Sequence, residues 1–427
     1  MTEFPVKMNP RTETPKGLRL HIGLFGKRNA GKSSLMNALL SQNISIVSPV
    51  AGTTTDPVEK AAEFAPLGPV VFIDTAGIDD TGSLGEQRTE RSKSVFSWMD
   101  LALIVTTADT FGEAEEDLIA KARKQSVPSI LVFNKIDSVP LSESLRARAQ
   151  SFKIAFCELS AQTREGVEAL RALMVRVLST LHEPDPDFLS GLVKPGDTVV
   201  LVTPIDTGAP KGRLILPQVQ AVRSVLDADA QCVVVRENRL AQILASLKTP
   251  PAFVMTDSQV VRNVVSVVPE NIPVTTFSIE MSVMKSDLTA LARGAAALTT
   301  LKPGDRVMIC ETCSHHPQPD DIGRKKIPRW LAQTIGGPLK TDVVVGKDFP
   351  SDLTPYKIII QCGGCVVTRR HMLARLRAAQ EQNVPMTNYG IAISFLQGVL
   401  TRALSLHPQA LEAYNKEKAR LQGLLAP

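Results

Sequence analysis

Gly26-Lys-Arg-Asn-Ala-Gly31-Lys32-Ser33 is a GxxxxGK[ST] loop set between an apolar run at 18–25 and a helical pattern at 34–40. A glycine-rich turn between strand and helix presents backbone N–H groups to a phosphate chain, and the helix N-terminus favours the anion. Gly26, Asn29, Ala30, Gly31 and Ser34 therefore read as the phosphate cradle. Lys32 is placed to reach the β- and γ-phosphates, and the Ser33 hydroxyl to ligate Mg²⁺.

Working outward, three more motifs follow apolar runs in order. Asp74-Thr-Ala-Gly77 follows 70–73: the carboxylate suits Mg²⁺ through water, and the Gly77 N–H suits the γ-phosphate. Asn134-Lys135-Ile-Asp137 follows 130–133, and the Asp137 carboxylate can accept two hydrogen bonds from guanine that adenine cannot supply. Ser160-Ala161 follows 154–159, where the Ala161 N–H can meet guanine O6. Between the first two motifs lies Gly52-Thr-Thr-Thr-Asp56, in which the Thr54 hydroxyl is the candidate to close over Mg²⁺ and the γ-phosphate. Each motif alone is a turn at a strand end. Together and in order they point to GTP binding and hydrolysis.

The runs at 18–25, 70–73, 101–105, 130–133 and 154–159 alternate with helical patterns, which predicts an α/β fold with a mostly parallel sheet and helices on both faces. We place this P-loop GTPase domain at 1–181, with 1–17 as a flexible tail. A small α/β domain with its linker is expected at 182–250. A second boundary is read at Thr249-Pro250-Pro251, leaving a doubly wound α/β domain at 251–427. Lys194-Pro-Gly-Asp197 and Lys302-Pro-Gly-Asp305 each precede a strand, and we read this echo as a shared type II turn and not a domain repeat.

Composition narrows the partners. A net charge of +5 and 4% aromatic residues argue against a nucleic-acid surface. The polar N-terminus does not read as a signal peptide, and no apolar run approaches the ~20 residues of a membrane span. A cytoplasmic protein is expected, in which six cysteines are ligands or core fillers and not disulfides. Cys157 and Cys232 lie in apolar runs and read as fillers.

Cys310, Cys313, Cys362 and Cys365 form two CxxC pairs at the carboxyl ends of predicted strands, where open α/β sheets place their sites. Three chemistries compete for them: a structural Cys₄ zinc site, a dithiol redox pair, and an iron–sulfur cluster. The gap between the pairs is longer than zinc sites commonly use.

Two resemblances bear on this. Asn29-Ala-Gly-Lys-Ser-Ser34, Gly52-Thr-Thr54 and Asp74-Thr-Ala-Gly77 resemble the TrmE/Era branch of GTPases. That resemblance implies a candidate K⁺ ligand at Asn29, and it puts Ile78 where other GTPases carry a water-orienting glutamine. Asp321-Ile-Gly-Arg324-Lys-Lys-Ile-Pro-Arg-Trp330, Gly346-Lys-Asp-Phe-Pro350, Cys362-Gly-Gly-Cys365 and Pro385-Met-Thr-Asn-Tyr-Gly390 resemble the [FeFe]-hydrogenase maturation GTPases, the HydF family. This resemblance covers nearly the whole chain.

The second resemblance implies a dimerisation domain, a homodimer and a [4Fe-4S] cluster on Cys313, Cys362 and Cys365, with His315 as a candidate fourth ligand. It also implies a scaffold or carrier that takes a di-iron precursor from radical-SAM maturation enzymes and delivers it to apo-[FeFe]-hydrogenase. Two positions depart from the pattern. Gln361 stands where the family has histidine, and Cys310 is an extra thiol that reads as a buried strand residue. Arg324, Lys325, Lys326 and Arg329 form a basic cluster suited to an anionic precursor. The rival reading is a TrmE/Era-like GTPase of RNA modification or ribosome assembly with a structural zinc site.

Overall fold

The apolar run before the loop is a strand, β1 (Leu20–Phe25), and the loop opens a helix, α1 (Lys32–Leu40). This computed structural model describes residues 14–40, 46–50, 58–75, 96, 98–181, 186–189, 191–205, 214–312, 321–346 and 349–425. The chain divides into two compact units, Met1–Pro184 and Asp185–Pro427.

The first unit is built on a seven-stranded sheet of order β2-β3-β4-β1-β5-β6-β7. Its other strands are β2 (Ile46–Val50), β3 (Val58–Phe64), β4 (Gly68–Asp74), β5 (Leu101–Thr106), β6 (Ser129–Phe133) and β7 (Ala155–Glu158). The other helices are α2 (Glu113–Lys124), α3 (Glu143–Ser151) and α4 (Val167–Leu181). Strands β4, β1, β5, β6 and β7 run parallel, while β3 pairs antiparallel with β2 and β4.

The five predicted strands are present. The antiparallel edge, β2 and β3, was not legible, because Val58-Glu-Lys-Ala-Ala-Glu-Phe64 mixes exposed, half-buried and buried positions and lacks a clean apolar alternation. Two cores sandwich the sheet. Leu35 and Leu39 of α1 pack with Leu170 and Met174 of α4 against Ile22, Leu24 and Leu103 on one face. Ile119 and Ala122 of α2 and Ala149 of α3 cover Phe25, Ile104 and Leu131 on the other.

The second unit holds two four-stranded sheets. The first comprises β8 (Thr198–Val202), β9 (Gln231–Val235), β10 (Phe253–Thr256) and β11 (Val274–Thr276), in the order β11-β10-β8-β9. Its helices are α5 (Leu216–Asp227), α6 (Leu240–Ser246), α7 (Val261–Val267) and α8 (Phe277–Lys285). After α9 (Leu288–Ala295) comes the second sheet: β12 (Arg306–Glu311), β13 (Lys340–Val345), β14 (Ile358–Gln361) and β15 (Met386–Asn388). Its order is β13-β12-β14-β15, with α10 (Ile327–Ile335), α11 (Arg369–Glu381), α12 (Tyr389–Leu396), α13 (Leu400–Ala403) and α14 (Pro408–Leu425). All pairs in both sheets are parallel.

Two sequence readings change here. The boundary at 250–251 falls inside a sheet, because β10 and β11 follow the proline pair and β10 pairs directly with β8. A diproline breaks helix and strand locally but does not decide which sheet the next strand joins.

The echoing turns also mark more than a shared turn. Numbered along each sheet, both run in the order fourth, third, first, second strand. Each turn precedes the first strand and carries the same bonds. Asp197 N–H donates to Lys194 O and Asp305 N–H to Lys302 O, both 3.1 Å. Lys194 and Lys302 N–H each donate to the aspartate carboxylate at 2.8 Å. Gly196 and Gly304 supply the positive φ, 84° and 89°, that the turn needs. The fourth strands repeat as well: Asn271-Ile-Pro-Val-Thr-Thr276 runs parallel in sequence to Asn383-Val-Pro-Met-Thr-Asn388, and Thr276 and Asn388 cap the next helix alike. The second unit is an internal duplication.

Candidate functional site

In the first unit the nucleotide motifs stand at carboxyl ends of parallel strands. The loop after β1 needs its glycines. A side-chain carbon at Gly26 (φ 147°) would lie 2.0 Å from Val105 O, and one at Gly31 (φ 88°) 2.3 Å from Asn134 Nδ2. Asn29 sits in the left-handed region at φ 63°, as a tight loop apex demands. Lys32, almost wholly buried, lies across the loop and donates to Gly26 O (3.0 Å) and Lys27 O (2.9 Å). Ala30 is buried, while the Ser33 and Ser34 side chains are exposed.

The structure brings Ser33 and Asp74 together: the Ser33 hydroxyl donates to Asp74 Oδ2. The other oxygen, Oδ1, is buried without a hydrogen-bond partner among the described residues. Burial pushes the Asp74 carboxyl above its usual range, opposed by the Ser33 hydrogen bond and the Lys32 and Lys60 charges. A half-buried carboxylate with one buried, open oxygen beside a serine hydroxyl fits a divalent cation.

Asp137 is exposed and held ionised by hydrogen bonds from the Ser160 and Ser138 hydroxyls, which lower its pKa. Asn134 plays a part that motif reading missed. Its Nδ2 donates to Ala30 O (2.9 Å), and its Oδ1 accepts from Ala161 N–H (3.0 Å). It ties the phosphate loop to the Ser160-Ala161 loop, and it engages the N–H expected to meet guanine O6. Lys135 is exposed, at φ 63°. Also unforeseen is Lys27, whose ammonium lies 3.3 Å from the fully buried Glu115 carboxylate and donates to Thr110 O. Thr54 and Gly77 lie outside the described residues, as does Ile78.

In the second unit, Cys362 and Cys365 follow β14. Gly364 between them has φ 69°, and a side chain there would meet Met372 Sδ at 2.6 Å. The Cys362 sulfur is surrounded by donors. Thr312 N–H donates to it at 3.2 Å, the Thr312 hydroxyl stands at 3.2 Å, and Gln361 Nε2 at 3.5 Å. Such a shell suits a thiolate that ligates metal. Nearby, the Tyr389 hydroxyl is buried with no hydrogen-bond partner among the described residues, and burial pushes it well above its usual pKa. An orphaned donor beside a donor-ringed sulfur fits a group carrying further acceptor atoms. Cys313, His315 and His316 lie outside the described residues, so the third expected cysteine and the candidate histidine are not placed. Among the described residues no three His, Cys, Asp or Glu groups converge to hold a metal.

Cys310 is fully buried on β12, and burial pushes its thiol up to about 12. Cys157 is also buried and Cys232 half-buried. Of the basic cluster, Arg324 lies 3.3 Å from Glu311 and Lys326 donates to Gln259, while Lys325 and Arg329 are exposed. The cysteine turn rests on the other half of the duplication. A carbon at Gly363 would stand 3.7 Å from Met281 on α8, and Arg369 donates to the Val283, Met284 and Ser286 carbonyls. No helix among the described residues is long and apolar enough to cross a membrane.

Three family models match the chain. The 50S ribosome-binding GTPase model matches 21–135, the Hydrogen maturase F dimerization domain 188–286, and the Hydrogen maturase F tetramerization domain 289–406. The chain is similar to the tRNA modification GTPase MnmE of Chromobacterium violaceum, at 36% identity over 172 residues, 40% of this chain and 37% of MnmE. The MnmE of Aromatoleum aromaticum matches at 32% over 232 residues, 52% of this chain and 46% of the relative. The chain thus spans less than half the length of these curated relatives. Among solved structures, Era from Aquifex aeolicus bound to GDP and AlF4⁻ matches at 20% identity, covering 53% of this chain and 97% of Era with a TM-score of 0.32. The G domain of the FeoB iron transporter of T. maritima matches at 22% identity, covering 37% of this chain and 98% of that domain, TM-score 0.30.

Proposed function

We propose that this chain, which belongs to the hydrogen maturase F family, is a GTP-hydrolysing scaffold that carries an iron–sulfur cluster in the maturation of [FeFe]-hydrogenase. The observation that carries this reading is the Cys362-Gly-Gly-Cys365 turn, with its donor-ringed sulfur, inside a domain matched by a hydrogen maturase F model and borne on the same chain as a GTPase domain.

The residues act as follows. The 26–34 loop cradles the phosphates of GTP with backbone N–H groups, and Lys32 exchanges its two carbonyl partners for phosphate oxygens. Ser33 and Asp74 hold Mg²⁺, with Thr54 joining them. Mg²⁺ supplies charge stabilisation for phosphoryl transfer. Asn29 contributes to a K⁺ site. Asp137 reads guanine, while Asn134 keeps the base-reading and phosphate loops in register. Gly77 senses the γ-phosphate, so hydrolysis acts as a switch on partner binding.

In the second unit, Cys313, Cys362 and Cys365 hold a [4Fe-4S] cluster, whose thiolate charge Thr312 helps to balance. When bound, the cluster would supply iron for the precursor to bind, and His315 would be a further ligand to it. Lys325 and Arg329 offer positive charge to an anionic di-iron precursor, received from radical-SAM maturation enzymes and passed to apo-hydrogenase in the cytoplasm. The protein works as a homodimer or higher oligomer.

The test is anaerobic reconstitution with iron, sulfide and zinc assayed together and EPR recorded. About four irons per chain with a reducible signal are expected. Stoichiometric zinc without a reducible cluster sinks the scaffold reading. It would favour the rival that the MnmE likeness supports, a GTPase of RNA modification with a structural zinc.

A further inference from the structure

Gln361 ends β14, next to the first cysteine of the turn. Its side chain is fully buried. Two neighbours fix which way its amide points. On one side Arg375 Nη1 approaches Gln361 Oε1 at 2.9 Å. A guanidinium only donates, so the atom facing it must be the amide oxygen. On the other side stand the Cys310 carbonyl, at 3.3 Å, and the Cys362 sulfur, at 3.5 Å. A carbonyl only accepts, so the atom facing it must be the NH₂ group.

Arg375 is itself locked. It is 2% exposed, its Nη2 donates to Gly346 O (2.7 Å), and its guanidinium lies 5.1 Å from the Phe349 ring centroid. The amide therefore has one orientation, set by a buried cation on α11 and not by the cysteine turn.

We propose that Arg375, Gln361 and Cys362 form a relay in which Arg375 is a positioning residue. It holds Gln361 as an N–H donor to the Cys362 sulfur, so Gln361 tunes a metal-bound thiolate and is not a ligand. The amide oxygen, the one atom of Gln361 suited to iron, is consumed by Arg375. The donor face meets sulfur, where a hydrogen bond withdraws electron density from the thiolate and favours the reduced cluster. Held this way, Gln361 does not compete for the exchangeable iron.

This inference rests on the cluster reading above, and the experiment separates the two. The full-length chain is reconstituted anaerobically as wild type, Gln361→Leu, Arg375→Met and the double variant. Iron per chain, the EPR-monitored reduction midpoint and pulsed-EPR coupling to ¹⁵N-glutamine are then measured.

The expected result is unchanged iron in Gln361→Leu, a midpoint shifted to lower potential, and loss of a weak ¹⁵N coupling present in wild type. Arg375→Met lowers the midpoint as well, and by less in the Gln361→Leu background than alone, because part of its effect passes through the amide. Strictly additive midpoint shifts, or a Gln361→Leu midpoint equal to wild type, overturn the relay while leaving the cluster. A strong ¹⁵N coupling makes Gln361 a ligand and also overturns it. A wild-type chain that takes up zinc and no cluster overturns the functional reading and the relay with it. Should Arg375→Met not fold, as judged by circular dichroism and sedimentation, Gln361→Leu decides alone through its midpoint and ¹⁵N signal.

Discussion

The two sheets of the second unit share strand order, entry turn and final strand-to-helix cap, yet their third strands end in different chemistry. β10 ends at Thr256 and continues as Asp257-Ser-Gln259; β14 ends at Gln361 and continues as Cys362-Gly-Gly-Cys365. The positions correspond in space. Asp257 N–H donates to Val202 O on β8, and Cys362 N–H donates to Cys310 O on β12. From that shared point the Asp257 carboxylate turns back to cap its own short helix through Gln259 N–H, while the Cys362 sulfur receives Thr312 and Gln361. One scaffold thus uses the same strand end for a helix cap in one copy and for a donor-ringed thiol in the other. Topology places the site, and the residues at the strand ends decide its chemistry.

The sharpest way to break this comparison is to exchange the roles. Cys362→Ala and Cys365→Ala should each abolish the cluster signal and most bound iron in reconstituted protein. Asp257→Ala, at the corresponding strand end, should leave iron untouched and cost about 1 kcal/mol of unfolding free energy for the lost cap. Iron lost equally in Asp257→Ala would mean that the two ends are not chemically distinct.

A smaller effect separates how the two fourth strands are covered. A carbon at Gly294 on α9 would lie 2.0 Å from Met386 O on β15, whereas the corresponding Val274 of β11 donates its N–H to the Ser405 hydroxyl at 3.2 Å. Gly294→Ala should therefore destabilise by about 1–3 kcal/mol in denaturant melts, and Ser405→Ala by about 1 kcal/mol. Equal costs would contradict the difference in backbone approach.

Smaller still, Gly196→Ala and Gly304→Ala should cost about 1–2 kcal/mol each and match one another. Both have positive φ, and both open onto free space, so only backbone strain is paid. A large inequality would count against the duplicated turn.

The smallest effect is expected at Cys310. With its thiol pushed up to about 12 by burial, Cys310 stays protonated at pH 8. Native protein should leave Cys310 unalkylated, and Cys310→Val should retain full iron at a cost under about 1.5 kcal/mol. Loss of iron in that variant would make Cys310 a ligand.

Much of this was readable beforehand, for a local reason. The phosphate loop and the Asp74 and Asn134 motifs each follow an apolar run that can only be buried, so neighbouring residues reveal both the strand and its end. The same held for the C-terminal strands and for Cys362 and Cys365. Other parts were not readable. Val58–Phe64 lies between β2 and β4, one strand in from the edge, and mixes exposed, half-buried and buried positions without a strong pattern. The Pro250-Pro251 pair imitates a boundary while the chain returns to the same sheet. The duplication survives in sequence chiefly as two turns and the approach to a cap, too little to distinguish from a common turn until the strand orders are seen.

The sequence by itself determined the parallel α/β character, the strand-end positions of the nucleotide motifs, and the cysteine turn, because each rests on contiguous residues and their covalent geometry. Tertiary structure alone decided that β10 belongs with β8, that Asn134 spans from the phosphate loop to Ala161, that Cys310 is sealed in a core, and that Arg375 sets the Gln361 amide. Those outcomes depend on groups from 14 to 104 residues apart in the chain meeting in a closed interior. There each buried donor must find an acceptor, and no local pattern of residue types records which one it finds.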